Sequence, residues 1–228
     1  MRKSPRRPHE PPSAVTGDRE TRARLLEAAE RLFAECGFKK VTVREICRAA
    51  GANVAAVNYH FGDKMGLYRE VLQVAIDAMR AVTDAARAEG ERQPPDEKLR
   101  RYIAIFLHRV TAPGHECMFQ LMQREMNDPT PALDAIVEQG LRPRIAYLSG
   151  LVAEMIGGDA SSQQVMRCVA SIQTQFVAYL PNPVAARLGL EFRPTPAQID
   201  QVARHIAEFS IGGTRAVGRE AGEHSRVS

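Results

Sequence analysis

Signals that start and stop α-helices follow each other closely between residues 18 and 64, and they constrain this chain more than any other feature. Apolar residues recur at spacings of three and four, which predicts a first helix that starts at Asp18 and stops at Gly37. Thr42 and Glu45 have the spacing of a capping box, which predicts that a short second helix begins there.

A third short helix is predicted directly after the second. Gly51 permits the turn between them, Asn53 is a good N-cap, and residues 54–61 span barely two helical turns. Two short helices joined by a short turn that contains glycine form a helix-turn-helix. Asp63 then caps a long fourth helix.

The remainder of the chain is predicted to be helical as well. Residues 91–95 form a linker with two consecutive prolines, and further helices are expected at 96–110, 116–127, 131–156, 161–180 and 195–211. We expect a kink or break before Pro143 and an end of the last helix at Gly212 and Gly213. No segment alternates with period two as a strand would, so the predicted fold class is all-α, a helix-turn-helix domain followed by a helical bundle.

Composition and cysteine spacing limit where such a chain can work. Its 228 residues are 44% apolar and 25% charged, which is typical of soluble globular proteins. The longest apolar run, residues 102–107, is too short for a membrane span or a signal peptide. The four cysteines are far apart and fit neither a disulfide framework nor a zinc ribbon. We therefore expect a cytoplasmic protein with reduced, buried thiols and no membrane partner.

The basic charge is concentrated at the N-terminal end. Residues 1–66 hold 13 Lys and Arg against 8 Asp and Glu, whereas the rest of the chain holds 18 against 19. This asymmetry fits either a polyanion partner for one end or a basic disordered tail with solvated helix faces. The predicted domains are a flexible basic arm at 1–17, a DNA-binding domain at 18–64, a ligand-binding and dimerisation domain at 65–213, and a flexible tail at 214–228.

Seven short motifs follow one another in a fixed order between residues 21 and 61: Thr21-Arg22, Leu25-Leu26-x-Ala-Ala29, Leu32-Phe33, Gly37-Phe38, Thr42-Val-Arg-Glu-Ile46, Ala50-Gly51 and Tyr59-His-Phe61. Their order and spacing resemble the TetR family of transcriptional regulators. The resemblance implies a DNA-binding domain whose third helix enters the major groove.

The resemblance also implies a role for eight residues at the DNA. Arg44 would reach a base edge. The residues that would face the groove are Ala55, Ala56 and Asn58. The residues that would contact phosphates are Thr42, Tyr59, His60 and Lys64. Tyr59 could instead pack internally, His60 could make a local structural hydrogen bond, and Lys64 could be an ordinary surface lysine. Because residues 54–56 are apolar, we expect few base hydrogen bonds, with thymine methyl contacts, Arg44 and Asn58 carrying most of the readout.

One segment of the predicted bundle is rich in methionine. Met118, Met122 and Met126 recur every four residues, a pattern that suits either a pocket for varied apolar molecules or a stripe of the core. Arg124 and Glu125 within this segment would form ion pairs with nearby helices or contact a ligand.

A second, weaker resemblance covers roughly residues 100–211. It is a resemblance to the C-terminal domain of the CecR subgroup of TetR regulators. Three segments carry it: 115–126, Asp128-Pro-Thr-Pro-Ala-Leu133 and Leu141-Arg-Pro143. Met118, Met122 and Arg124 are the candidate ligand-binding residues. His108, His115 and Cys117 match no common metal-ligand spacing, so no metal or cofactor is expected.

The last two long helices are the candidates for a homodimer interface. Their apolar residues exceed what one bundle face requires, although they could also complete the core of a single chain: Ala170, Ile172, Phe176, Tyr179, Ile199, Val202, Ile206 and Phe209. A short recognition helix reads too few base pairs alone, which favours a dimer.

The function predicted from these features is a cytoplasmic, homodimeric transcriptional repressor that binds a palindromic DNA operator and responds to a small-molecule effector. The alternatives are an enzyme or a helical interaction module that does not bind DNA. The motifs G-x-S-x-G and H-E-x-x-H and a glycine-rich phosphate loop do not occur in the sequence, so no enzymatic activity is expected.

Overall fold

The computed structural model describes residues 14–112, 114, 116–157, 160–177, 179, 187–189 and 195–227. Its regular elements are all helical, which confirms the predicted fold class: α1 Ala14–Cys36, α2 Val43–Ala50, α3 Val54–Phe61, α4 Lys64–Gly90, α5 Pro95–Val110, α6 Glu116–Asn127, α7 Leu133–Ile136, a π-helical turn Val137–Leu141, α8 Arg142–Ile156, α9 Ser162–Val177 and α10 Pro196–Val227. None of the helices that the model describes is both long and apolar enough to cross a membrane.

The chain divides into two compact units between Val71 and Leu72. We call them the N-terminal unit and the C-terminal unit. The domain boundary predicted from the sequence, after Lys64, falls at the first residue of α4, so the structural division comes later within that helix. Helix α4 begins in the N-terminal unit and ends in the C-terminal unit.

Local signals set the short helices of the N-terminal unit where the sequence predicts them. The Thr42 hydroxyl accepts a hydrogen bond from the Glu45 amide, and the Glu45 carboxylate accepts one from the Thr42 amide, which completes the capping box. Gly51 adopts the left-handed conformation that ends α2, with φ of 60°. Asn53 caps α3 through a 2.8 Å bond from the Ala56 amide.

Aromatic rings fill the core of the N-terminal unit. The Tyr68 ring centre lies 4.9 Å from that of Phe33 and 4.8 Å from that of Phe38. Val57 and Phe61, four residues apart, turn one side of α3 into this unit's interior. Because these two positions are buried, the residues on the opposite side of α3 are exposed.

The C-terminal unit packs the second part of α4 with α5 and α8–α10. Its core includes the fully buried residues Leu99, Tyr102, Ile103, Leu107 and Leu148. Two capping boxes begin its later helices, at Ser161 with Gln164 and at Thr195 with Gln198.

The predicted start of α1 at Asp18 is wrong, because the helix begins at Ala14. The Thr21 hydroxyl donates to the Gly17 carbonyl at 2.8 Å, one helical turn earlier. Residues 14–17 of the predicted arm are therefore helical, while residues 1–13 lie outside the described part of the chain.

The predicted end of the last helix at Gly212 and Gly213 is also wrong, because α10 continues to Val227. Each glycine costs about 1 kcal/mol relative to alanine within a helix. Packing beyond them offsets that cost: Thr214 is buried, Val217 packs against the core, and Gly218 lies directly against α8. The predicted flexible tail is thus helical as far as residue 227.

The predicted break before Pro143 is confirmed as a π-helical turn. The Arg142 amide donates to the Val137 carbonyl, five residues earlier, instead of to the carbonyl four residues earlier. Pro143 has no amide hydrogen, and its ring would collide with the preceding turn of a regular α-helix. The wider turn relieves this conflict, as π-helical turns commonly do in long helices.

Candidate nucleic-acid interface and ligand cavity

Helix α3 presents one continuous exposed face to solvent. Val54 and Asn58 are one helical turn apart on it, and so are Ala55 and Tyr59. The Tyr59 side chain is the most prominent, at 77% exposed, while Val54 is 42% exposed. We call these four residues the α3 outer face. Val54 is not among the residues predicted for the site, although its spacing of one helical turn from Asn58 could have identified it.

Helix α2 contributes an exposed arginine to the same unit. Arg44 is exposed, and among the residues that the structure describes no carboxylate lies within ion-pair distance of it. Thr42 is exposed too, but its hydroxyl donates to the Glu45 carboxylate at 2.7 Å while it accepts from the Glu45 amide. Its single hydroxyl proton is therefore already used, so a phosphate could be bound only after this bond is released.

The remaining predicted DNA-binding residues are partly covered. Ala56 is half-buried. The His60 side chain is only 7% exposed, and its Nε2 lies 3.5 Å from the Asp18 carboxylate, an arrangement that fits a local structural bond. The Lys64 Nζ lies 4.3 Å from the centre of the Phe38 ring. Burial lowers the pKa of Lys64, and the charge of Glu45 counteracts this effect.

The C-terminal unit contains a partly open cavity of about 600 Å³. Its wall is mostly apolar and contains residues from every element between α4 and α9. Met118 and Met122, both predicted to bind a ligand, belong to this wall, and so do three further methionines, Met79, Met126 and Met166. Met79 and Met166 lie on other helices, so the spacing within α6 could not reveal them.

Polar groups occupy a small part of the cavity wall. They include three charged residues, Arg109, Glu125 and Arg144. Glu125 is buried, and its Oε1 accepts hydrogen bonds from the Thr130 amide and hydroxyl at 2.7 and 2.8 Å, which ties down the turn after α6. Arg124, the predicted ligand contact, is exposed and does not line the cavity.

Three residues could have suggested a metal site: His108, His115 and Cys117. His108 Nε2 lies 2.7 Å from the Asp200 carboxylate, whereas His115 lies outside the described residues. Within the described part of the chain, no three metal-ligating side chains come together.

Half of the eight apolar residues predicted to form a dimer interface are buried within the single chain. Ile172, Phe176, Ile199 and Ile206 belong to the core of the C-terminal unit, so the predicted excess of apolar surface is wrong for them. Their helical spacing matched an interface as well as a core face, because both need the same period. Phe209 differs, since 68% of it is exposed.

Comparison with known protein families accounts for both units. Residues 25–71 match the family model described as bacterial regulatory proteins, tetR family. Residues 95–214 match the model described as HTH-type transcriptional dual regulator CecR, C-terminal domain.

Sequence similarity to individual proteins supports these two family matches. The chain is 28% identical to the dual regulator CecR of Shigella flexneri over 178 residues, which cover 74% of this chain and 79% of that protein. It is 43% identical over 58 residues to the transcriptional repressor AcnR of Corynebacterium glutamicum, covering 25% of this chain and 31% of AcnR.

Solved structures share the fold. SCO4454, a TetR-family transcriptional regulator from Streptomyces coelicolor, superposes with a TM-score of 0.62 at 24% identity and covers 91% of this chain and 98% of its own. The ketosteroid transcriptional regulator KstR2 of Mycobacterium tuberculosis gives a TM-score of 0.62 at 21% identity, covering 84% and 93%.

Proposed function

This chain belongs to the TetR family of DNA-binding transcriptional regulators and carries a C-terminal domain of the CecR family, and we propose that it is a ligand-released repressor. As a homodimer in the cytoplasm it binds a palindromic operator, and a small molecule in the cavity of the C-terminal unit lowers its affinity for that operator. The single observation that carries the DNA-binding part of this proposal is the α3 outer face.

The α3 outer face suits the major groove, which is wide enough to admit an α-helix. Val54 and Ala55 offer methyl groups to thymine, and the Asn58 amide can make paired hydrogen bonds to adenine. Arg44 supplies the cation, because α3 has no lysine or arginine of its own. Tyr59 extends from the helix, where its hydroxyl can reach a backbone phosphate.

Dimerisation is proposed on α10, with Phe209 at its centre. An aromatic ring that is 68% exposed on a long helix is a typical anchor for a partner surface. Phe209→Asp should therefore give a folded monomer. Phe176→Asp is the matched contrast, because it places a charge in the core and should unfold the C-terminal unit instead. Sedimentation of the unmutated chain as a monomer at micromolar concentration would contradict the proposal.

A ligand in the cavity can release the protein from DNA if the ligand and the operator favour different shapes of the protein. A ligand that prefers the shape with misplaced recognition helices must disfavour the operator-bound shape by the same coupling free energy. Helix α4 is the candidate connection, because it is continuous from Lys64 to Gly90 and the cavity wall includes its residues Ala78, Met79 and Val82. Half-sites roughly 34 to 36 Å apart make binding sensitive to small movements of α3.

Selection of bound duplexes from a random pool tests the proposal. A repressor dimer should enrich a palindrome, and its affinity for that sequence should exceed its affinity for random DNA by about a thousandfold or more. Enrichment of a single asymmetric half-site would contradict the dimer. Absence of duplex binding would favour a protein-interaction module, and binding without any enrichment would contradict sequence-specific recognition. No catalytic role is proposed.

A further inference from the structure

The wall of the cavity contains a cation whose hydrogen-bonding capacity is not fully used. Arg144 on α8 has a buried Nε atom that contacts no acceptor among the described residues. Its Nη2 donates to the Gln173 side-chain oxygen on α9 at 2.9 Å. Both side chains line the cavity. A buried donor without an acceptor is costly, which suggests that a further group belongs beside Arg144.

Gln173 offers a second donor at the same place. Arginine can only donate hydrogen bonds, so the Gln173 side chain must present its oxygen to Arg144 and its Nε2 group elsewhere. That Nε2 group donates no hydrogen bond to any residue that the structure describes. The site therefore offers two neighbouring donors to a group that accepts hydrogen bonds.

Charge points to the same kind of group. In the part of the chain that the structure describes, no carboxylate lies within 4 Å of the Arg144 guanidinium. The charged residues that the structure describes in the cavity wall are Arg109, Arg144 and Glu125, which together carry a net charge of +1. Glu125 also holds the Thr130 turn through its Oε1. A cation taken away from water is stabilised most by an anion that binds it directly.

The rest of the wall is apolar and adaptable. Five methionines line it, and their flexible thioethers can fit around chains of different shape. A volume of about 600 Å³ is within the usual range for sites that hold one small molecule.

We infer that the cavity binds an amphipathic anion, a molecule with a long apolar body and a single carboxylate or similar oxyanion head. Arg144 and Gln173 hold the head, and the methionine-rich wall surrounds the body. This inference deepens the proposed function, on which it rests, by assigning the chemical class of the effector and the residues that select it.

Three probes with the same apolar chain and different heads test this assignment. Calorimetry of the full chain should compare dodecanoate, dodecan-1-ol and dodecyltrimethylammonium, each below its micelle-forming concentration. A charge-assisted head contact should make dodecanoate bind about 10- to 100-fold more tightly than dodecan-1-ol. The cationic probe should bind most weakly.

Two arginine variants locate the contact. Arg144→Met keeps a long side chain but removes the charge, and it should abolish the preference for dodecanoate while leaving dodecan-1-ol binding intact. Arg144→Lys should retain part of the preference. Arg124→Met is the matched control, because the same change on α6 lies outside the cavity wall and should leave the preference unchanged. Thermal unfolding of each variant checks that it remains folded.

The comparison of heads on the unmutated chain stands even if a variant fails to fold. Equal affinity for the three probes, preference for the cation, or binding of none of them would overturn the inference. A preference that survives Arg144→Met would overturn the assigned residues. If dodecan-1-ol bound equally well and released DNA, the proposed function would stand without an anionic effector. Failure of the proposed function appears separately, as absence of an enriched operator.

Discussion

The two units of this protein use their interiors in opposite ways. The N-terminal unit packs the half-buried ring of Phe38 against the buried rings of Phe33 and Tyr68, and the α3 outer face lies on its surface. The C-terminal unit leaves a cavity of about 600 Å³ inside. A packed core can hold a surface helix in one geometry, whereas a methionine-lined cavity can adjust to its occupant.

The largest expected effect tests how closely the N-terminal unit is packed. A Cβ atom added at Gly66 would lie 1.9 Å from the Phe61 carbonyl oxygen, so Gly66→Ala must displace α3 from α4. We expect a loss of about 3 kcal/mol in unfolding free energy. Hydrogen exchange of the α2 and α3 amides measures it. Gly150→Ala is the control, because a Cβ there meets nothing within 4 Å and should stabilise α8 slightly. Equal effects of the two changes would contradict this close approach.

A smaller loss is expected for the corresponding contact of the C-terminal unit. A Cβ atom at Gly218 would lie 2.6 Å from the Ile156 carbonyl oxygen. Gly218→Ala should therefore destabilise the packing of α10 on α8 by about 1 to 3 kcal/mol, measured by exchange of the amides in those two helices. If exchange were unchanged, the part of α10 beyond Gly213 would not be packed as described.

DNA affinity provides the next comparison within the N-terminal unit. Arg44→Ala should weaken operator binding by about 1 to 3 kcal/mol and weaken binding to random duplex much less, because a base contact is lost. Arg48→Ala, an exposed arginine one turn along the same helix, is the matched control with no predicted base contact. Titration of both variants against operator and random duplex tests whether Arg44 contacts a base. A loss of the same factor on operator and random DNA would show that Arg44 only meets phosphates.

The smallest expected effect is on the pH dependence of stability, which should differ between the capping boxes of the two units. The pKa of Glu45 lies below its ordinary value of 4.5, mainly because its carboxylate accepts a hydrogen bond from the Thr42 hydroxyl. A second hydrogen bond, from the Thr42 amide, lowers this pKa further. The contribution of Glu45 to stability is therefore complete above that value and is lost as the pH falls through the lowered folded-state pKa. Glu45→Gln should remove this part of the pH dependence, measured by urea unfolding at a series of acidic pH values. The box at Thr195 already uses an uncharged partner, Gln198. Parallel pH profiles of wild type and Glu45→Gln would refute the assignment.

Helix caps formed between residues close in the sequence could be predicted from the sequence, whereas packing between distant helices could not. The caps at Thr42, Asn53 and Thr195 are bonds between residues three apart, so their motifs are visible in the sequence. The path of α10 through Gly212 and Gly213 depends on α8, which is distant in the sequence. A local stop signal is then overridden by tertiary contacts.

The same distinction applies to the candidate sites. Ala55, Asn58 and Tyr59 could be identified because one short helix carries them. The polar part of the cavity could not, since Arg144 and Gln173 lie on different helices and their meeting depends on how α8 and α9 pack. The sequence pattern instead predicts Arg124 as a ligand contact, because it lies within the methionine-rich segment.

Linkage between the two units is tested most directly by measuring operator affinity with and without saturating dodecanoate. Coupling between an effector and DNA typically changes affinity by about 5- to 150-fold, and it is reciprocal. We predict that dodecanoate weakens operator binding by a factor in this range, and that saturating operator weakens dodecanoate binding by the same factor. Unchanged operator affinity at saturating dodecanoate would contradict the coupling of DNA reading in the N-terminal unit to ligand binding in the C-terminal unit.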